Sequence, residues 1–464
     1  MKDLFIEDLL NGNYRDVENF SGRINNIRDH GDLVFMDIED HTGEIQVVLS
    51  REDFSGEFSK IKELSEGAYI ETSGVLEREN DQPEIKAENL NTLKDANLHL
   101  SPKPWKIDGS EHQHGKQIFD HPGMYIANPE RKAILEIKNT FINSLHNYFQ
   151  ENDFTRVEPP IITDKTLYEH DNAVNIDVHD ESVYLSQCAT FELEPMSLVW
   201  DKVYTISPAF RDEPSGSKRH LAEYTHAKAE ALEADYEDLM ELAGDSLFNA
   251  LKETSEKSQE QLDLIDAEID FEGIHPENHV EITYNKAVEI LQDKGIDIEY
   301  GESLSDSDEK ELTSHVGDEY LWVKFLPFQT EGFPYRRKED EPQLSMTCDL
   351  IAPHGAGEMV GVAEKVNTAE ELVENIIDKE KKEDIKNYWD YISMREYGLP
   401  EHGGIGAAPE RILYGVLDLD HIRLTKPWPR YPDRRIDSQK EELPTWGDEE
   451  LERLVDQYNL DEEL

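Results

Sequence analysis

The sequence predicts an α+β protein, with a small β-barrel first and then a larger domain of antiparallel strands flanked by helices. Three observations carry this expectation. Between residues 18 and 98, short β-branched and aromatic runs alternate with polar turns. From Arg131 the apolar residues switch to spacings of three and four, the period of a helix. Beyond residue 200, strand-like runs return around turns rich in glycine, proline and serine. We divide the 464 residues into a barrel at 1–98, a linker at 99–130, a main domain at 131–434 and a C-terminal extension at 435–464.

The barrel strands are expected at Phe20-Ser21-Gly22-Arg23-Ile24, Leu33-Val34-Phe35-Met36-Asp37-Ile38, Glu44-Ile45-Gln46-Val47-Val48-Leu49 and Tyr69-Ile70-Glu71-Thr72 onward, with Asp40-His41-Thr42-Gly43 as a turn. Five strands with a helical insert near 55–65 fit an OB-type barrel, a fold that binds oligonucleotides on one face. A purely structural barrel reads the segment equally well. A polar, proline-containing connector follows at 95–104.

In the main domain, Ile134, Ile137, Phe141, Leu145 and Tyr148 share one helix face, and Asn152-Asp153 ends that helix before a strand at 154–157. Pro159-Pro160 then fixes an extended exit. Val203-Tyr204-Thr205-Ile206 and residues 221–229 read as strand, loop, strand. Asp235 is placed to cap a helix carrying Leu239, Leu242, Leu247 and Leu251 on one side. Residues 255 to about 315, polar and acidic with little periodicity, are expected as a solvated insertion. Strands return at Tyr320-Leu321-Trp322-Val323 and Met346-Thr347-Cys348-Asp349-Leu350-Ile351, followed by a glycine-rich turn that holds Glu358. Gly404-Ile405-Gly406-Ala407-Ala408-Pro409-Glu410-Arg411 is a strand-to-helix junction. It has no second parallel βαβ half, so a dinucleotide-binding reading fails. Leu451, Leu454, Val455 and Tyr458 form a short amphipathic pattern, read as a packing or capping helix.

Composition narrows the class. Asp and Glu number 103 against 46 Lys and Arg, a formal charge of −57 spread along the chain. With 37% hydrophobic residues in periodic blocks, this describes a packed protein with an acidic skin rather than a disordered one. Such a skin resembles that of proteins working in molar salt, where self-repulsion is screened. Loss of compactness in low salt is therefore expected, and unchanged circular dichroism and activity there would refute it. An acidic surface repels nucleic acid, so an RNA partner must be held by stacking, hydrogen bonds and shape rather than by counterion release. Cys188 and Cys348 make neither a disulfide framework nor a zinc spacing. No run of 18 apolar residues and no signal pattern is present, and a soluble, cytoplasmic protein without membrane contact is expected.

The chemistry concentrates at Phe210-Arg211-Asp212-Glu213, a turn, and Arg219-His220-Leu221-Ala222-Glu223-Tyr224. In a chain short of cations, Arg211, Lys218 and Arg219 gather at one loop. Arginine forks fit phosphate oxygens, and a carboxylate beside them fits an amine or a metal.

These blocks, in this order, resemble the signature motifs of class II aminoacyl-tRNA synthetases, and most closely the asparaginyl/aspartyl subgroup with its N-terminal OB domain. The likeness runs over about residues 18–430. The pattern F-R-x-E, loop, R-H-L-x-E-[FY] is met at Phe210, Arg211, Glu213, Arg219, His220, Leu221, Glu223 and Tyr224. Gly404, Gly406, Glu410 and Arg411 match the third motif, with Ala408 at a usual glycine, and Pro160 matches the first motif, the family's dimer interface.

The resemblance implies an antiparallel class II core and an ATP-dependent ligase that activates an amino acid as its adenylate and transfers it to tRNA. It implies that Arg211 grips the α-phosphate, Glu213 reads the adenine amino group, Tyr224 and Arg411 sandwich the adenine, and Arg219 and His220 face the outer phosphates. Asp349 and Glu358 would hold Mg²⁺ on ATP. Phe35 and Gln46 fall at the places of the family's anticodon-stacking aromatic and hydrogen-bonding glutamine, although Glu39 replaces a frequent arginine. A homodimer is implied as well.

The amino-acid pocket departs from the pattern. Gln187, Thr190, Glu194 and Lys365 are its candidates, but Cys188 and Thr190 stand where the subgroup has Ser and Gln, and Lys365 stands where an arginine grips the substrate side chain. Lys365 reads either as a single-ammonium replacement for that fork or as a surface lysine. Lys228 replaces a usual acid, while Glu230 is retained. Leu193 in place of the aspartate enzyme's lysine, together with Glu194, tilts the substrate toward asparagine over aspartate. The alternatives left open are an adenylate-forming paralogue that charges no tRNA and a non-catalytic nucleotide or RNA binder.

Overall fold

The computed structural model describes residues 2, 4–78, 83–94, 126, 128–167, 172–212, 217–381 and 385–430. The connector at 95–104, Glu213 and the C-terminal extension with its amphipathic pattern lie outside the described residues. The chain divides into two units, Met1–Ile107 and Asp108–Leu464.

In the first unit, strands β1 (Asp16–Asp29), β2 (Leu33–Asp40), β3 (Gly43–Ser50), β4 (Tyr69–Glu77) and β5 (Glu84–Lys94) close a barrel in the order β1-β2-β3-β5-β4. The 14 residues of β1 let it pair antiparallel with β2 along one half and β4 along the other, which is what closes the sheet. Val34, Met36 and Ile38 alternate inward with Val47, Leu49, Ile70 and Ile85 and form the barrel core. Phe35 and Gln46 lie opposite Val48 and Asp37, so both belong to the outer, half-buried face of the β2–β3 pair.

The second unit is built on an eight-stranded sheet. Helix α1 (Pro129–Glu151) is capped by Asn128, whose side-chain oxygen accepts from the backbone N–H groups of Glu130 and Arg131. It buries Ile134, Ile137, Phe141 and Leu145, with Phe149 rather than the half-buried Tyr148 completing the face. β6 (Thr155–Arg156) follows, then a small sheet of β7 (Ile162–Thr163), β8 (Asn175–Val178) and β9 (Glu181–Leu185), and α2 (Thr190–Trp200). The central hairpin is β10 (Lys202–Phe210) and β11 (Glu223–Leu232), paired from Lys202↔Ala231 to Phe210↔Glu223. Helix α3 (Tyr236–Lys257) starts at a capping box made by Asp235 and Asp238.

The stretch expected as a solvated insertion is instead part of the fold. β12 (Val280–Thr283) extends the main sheet, and α4 (Tyr284–Asp293) and α5 (Asp306–His315) pack against it. Tyr284, Ala287, Val288 and Leu291 keep helical spacing over one ten-residue helix and bury themselves with Leu312, Leu321 and Val323. The apolar stripe is too short to stand out among the acids on the opposite face.

β13 (Leu321–Lys324), β14 (Thr347–Ala352), β15 (Gly357–Glu364) and β16 (His402–Ala407) complete the sheet in the order β12-β13-β14-β15-β16-β11-β10-β6, and α6 (Pro409–Val416) follows β16. Along β11, Ala227, Ala229 and Ala231 join α1 and α3 in the main core, their small side chains letting the helices approach. Tyr224, His226, Lys228 and Glu230 therefore face the other way. One face of the sheet is core, and the other is covered by α4 and α5 at its β12–β13 edge but open for chemistry over β11, β16, β15 and β14. Among the described residues, no helix is long and apolar enough to cross a membrane.

Candidate active site

The free face of β11 meets β16, β15 and β14 in register. Lys228, Gly406, Gly361 and Asp349 occupy one cross-strand row, and Glu230, Gly404, Ala363 and Thr347 the next. Paired residues in antiparallel strands point to the same face, so the glycines form a floor between the side chains of β11 and those of β14. That floor takes only small residues, with Ala363 beside the glycines. A Cβ at Gly404 would lie 2.5 Å from Glu230 Oε2, and one at Gly361 would lie 3.3 Å from Asp349 Oδ1 and 3.2 Å from Glu358 Oε1.

Two adjoining cavities open above the floor. The smaller is lined by Arg211, Arg219, His220, Tyr224, Glu358 and Arg411, among others. The larger, about 820 Å³, is lined by Gln187, Lys228, Glu331, Asp349, Glu358 and Gly404, among others. Arg211, His226, Glu358 and Gly406 line both, so Arg211 stands at the junction. Its guanidinium carbon is 5.8 Å from the centre of the Tyr224 ring. Burial, with Lys228 and Arg211 nearby, pushes the His226 imidazole down to about 3, so it is neutral.

Arg411 is aimed by the residue before it. Glu410 is fully buried and accepts hydrogen bonds from the Thr225 backbone N–H at 3.0 Å and the Thr225 hydroxyl at 2.7 Å, which ties the start of α6 to β11. Burial would raise its pKa, but Lys138 at 2.6 Å and Lys426 at 3.1 Å hold it down to about 2. Arg219 is clasped by α5, its Nε donating to Asp306 at 3.2 Å and its Nη1 to Glu309 at 3.0 Å. The stretch expected to be solvated thus supplies the two carboxylates that hold Arg219.

Carboxylates gather at the far edge of the floor. Burial first, then Glu358, Glu331 and Glu309, push Asp349 well above the usual carboxylate range. Burial and Glu358 lift Glu331 to about 7, and burial lifts Glu309 to about 6. The Asp349 and Glu358 oxygens both turn toward the vacant Cβ position of Gly361, so they converge on one spot. Two hard oxygen donors at one spot are the donor set a small divalent cation takes from a protein, and a cation there would favour the carboxylate form of Asp349 that burial and its acidic neighbours oppose. Among the described residues, no cluster of three or more His, Cys, Asp or Glu side chains is placed to hold a metal by itself.

Of the amino-acid candidates, only Gln187 lines the larger cavity. Thr190 is buried and accepts from Cys188 Sγ at 3.2 Å. Glu194 is buried in a charged cluster, contacted by Arg395 Nη2 at 2.6 Å, His402 Nε2 at 3.0 Å and Lys365 Nζ at 3.2 Å, and by the Tyr391 hydroxyl. Burial opposes its charge, but Arg395, Lys365 and His402 hold it well below the usual range. Lys365 is neither a surface residue nor a wall of either cavity. It is 1% exposed, with Nζ 2.5 Å from Glu230 Oε1, and its neighbouring acids raise its pKa against burial. Sequence reasoning missed Arg395, His402, Lys138 and Lys426, whose partners lie far away in the chain. Asp306 and Glu309 were hidden in an acidic background.

Comparison with known proteins follows the same division. Residues 19–93 match the OB-fold nucleic acid binding domain, and residues 116–432 match the family described as tRNA synthetases class II (D, K and N). The chain is 28% identical to an asparagine–tRNA ligase of Pyrococcus furiosus over 87% of its own length and 92% of that protein's. It is also 28% identical to one of Desulforamulus reducens, over 90% and 96%. The structure is similar to that of Pyrococcus horikoshii asparaginyl-tRNA synthetase complexed with asparaginyl-adenylate, with a TM-score of 0.84, 26% identity, and coverage of 94% of this chain and 99% of that one. With the family matched across the sheet, the glycine floor and both cavities, the chain belongs to the class II tRNA synthetases of the D, K and N group.

Proposed function

We propose that the protein is an asparagine–tRNA ligase, activating asparagine with ATP and transferring it to tRNA. The observation that carries this is the position of Arg211 where the two cavities meet. ATP occupies the smaller cavity, with adenine between Tyr224 and Arg411 and the outer phosphates toward His220 and Arg219. Asparagine occupies the larger one. The two reacting groups then meet beside Arg211, whose fork stabilises the charge that develops on the α-phosphate as the amino-acid carboxylate attacks in line and pyrophosphate leaves. Glu213 is assigned to the adenine amino group by its motif alone. Arg219 must exchange Asp306 and Glu309 for phosphate oxygens, a trade of like for like in charge.

Asp349 and Glu358 fit Mg²⁺ with ATP phosphates completing its shell, and that ion would neutralise the outer phosphates. In the second step a tRNA ribose hydroxyl attacks the adenylate carbonyl and AMP leaves. The outer β2–β3 face of the barrel, with Phe35 and Gln46, is our anticodon site, since stacking tolerates both an acidic surface and salt. Exposed Ile161 and Ile162, directly after Pro160, together with exposed Val199 and Trp200, support a homodimer, and we place the protein in the cytoplasm.

Asparagine-dependent ATP–pyrophosphate exchange and charging of tRNA together test this function. Phe35→Ala should lower charging while leaving exchange untouched. The relatives in both comparisons support the ligase over an adenylate-forming enzyme without tRNA, for which exchange without charging would be the signature.

A further inference from the structure

We propose that Lys228, together with the outward oxygen of Glu230, reads the side-chain carboxamide of the amino acid, and that Lys365 is a positioning residue behind them. This rests on the asparagine reading above and deepens it. Lys365 sits at the place where the family's side-chain arginine is expected, but its ammonium is already held by Glu230 and Glu194 and reaches neither cavity. Lys228 does the opposite. It is buried, yet it lines the larger cavity, and its one close carboxylate is Glu230 Oε1 at 3.5 Å, at the outer limit of a hydrogen bond. An ammonium in that position has donors to offer a substrate.

The two oxygens of Glu230 divide the work. Oε1 receives Lys365 at 2.5 Å and Lys228 at 3.5 Å. Oε2 is buried without a hydrogen-bond partner and lies above Gly404, a residue of the cavity floor. A buried carboxylate oxygen left without a donor is costly, so the site is built to receive one. Lys228 on the cavity wall and Glu230 Oε2, set just above the lining residue Gly404, thus place a donor and an acceptor at alternate positions of β11. A carboxamide offers the complementary pair, its carbonyl oxygen accepting from Lys228 Nζ and its amide N–H donating to Glu230 Oε2. A carboxylate side chain would set an anionic oxygen against Oε2. Arg211 follows Phe210, which pairs with Glu223 at the start of β11, so with the side chain at Lys228 and Glu230 the reacting carboxylate points along β11 toward Arg211.

Lys365 fixes this arrangement from behind. Between Glu194 and Glu230 it pairs with both acids and pins Oε1, which leaves Oε2 as the oxygen turned to the floor. Arg395 and His402 hold Glu194 from its other side. The selecting charge has in effect moved from β15's end of the site to β11.

The test is ATP–pyrophosphate exchange of the full-length protein in molar salt, with asparagine and with aspartate. Lys228→Met should raise the asparagine KM by about 10- to 100-fold, with kcat within about threefold, because the lost contact serves ground state and transition state alike. Lys228→Arg, which keeps a donor, should recover most of that loss. Glu230→Gln, which replaces the free acceptor by an amide able to donate, should shift the aspartate-to-asparagine ratio of kcat/KM toward aspartate by about tenfold or more. An asparagine KM within twofold of wild type in Lys228→Met would overturn the assignment, as would an unchanged ratio in Glu230→Gln. Either result with normal asparagine exchange by the wild type defeats this inference alone. Absence of asparagine exchange by the wild type defeats both it and the function it rests on.

Discussion

Replacing Arg211 by alanine should lower the rate of ATP–pyrophosphate exchange by about 100- to 1,000-fold, the loss typical of removing one preorganised group that meets developing charge. Its position explains the size. Arg211 lines both cavities, whereas Arg219 and Arg411 line the smaller alone and Lys228 the larger alone, so none of these cations stands where the two meet. The fold should survive, since the backbone N–H of Arg211 still donates to the Ala222 carbonyl at 3.0 Å and the β10–β11 register does not depend on the side chain. An unchanged thermal midpoint with exchange lost is the expected pair of readings, and exchange within tenfold of wild type would remove Arg211 from the reaction.

Glu194→Ala should have the largest effect on stability, about 3–5 kcal/mol, because it leaves the buried cations Lys365 and Arg395 without their shared carboxylate. Denaturant unfolding measures it directly, and a loss below about 1 kcal/mol would mean the cluster does not hold this part of the fold. The acid dependence has a definite sign. Glu194 and Glu410 both have folded pKa values below their unfolded ones, so the stability they contribute is full above about pH 4.5 and fades as pH falls toward 2. Glu331 acts oppositely. Its folded value of about 7 favours the folded state below about pH 4.5, a contribution lost as pH rises through 7. Wild type should therefore lose stability steeply in acid, and Glu194→Ala, which lacks one of the two responsible groups, should lose less over the same range.

The sequence was informative where local pattern and function coincide. The β10–β11 hairpin announces itself through β-branched residues, a polar turn and a cluster of rare cations, and the capping role of Asp235 is readable three residues at a time. The barrel likewise follows from alternation alone. The charged network beneath the amino-acid cavity is different in kind. Glu194 meets Lys365, Arg395 and His402 only because α2, the end of β15, the short helical turn at Met394–Tyr397 and β16 fold together, and no spacing in the chain records it. Lys365 illustrates the consequence: motif position pointed it at the substrate and composition pointed it at solvent, whereas two acids claim it. In a chain with so many carboxylates, those that matter, such as Asp306, Glu309 and Glu331, cannot be told from the solvated majority until the fold places them.

The most direct test of the whole account is amino-acid-dependent ATP–pyrophosphate exchange in molar salt, with asparagine and aspartate measured side by side and tRNA charging scored on the same preparation. Exchange with asparagine in clear excess over aspartate, followed by formation of asparaginyl-tRNA, is the expected result. Exchange that prefers aspartate, or asparagine exchange with no charging of tRNA, would contradict it.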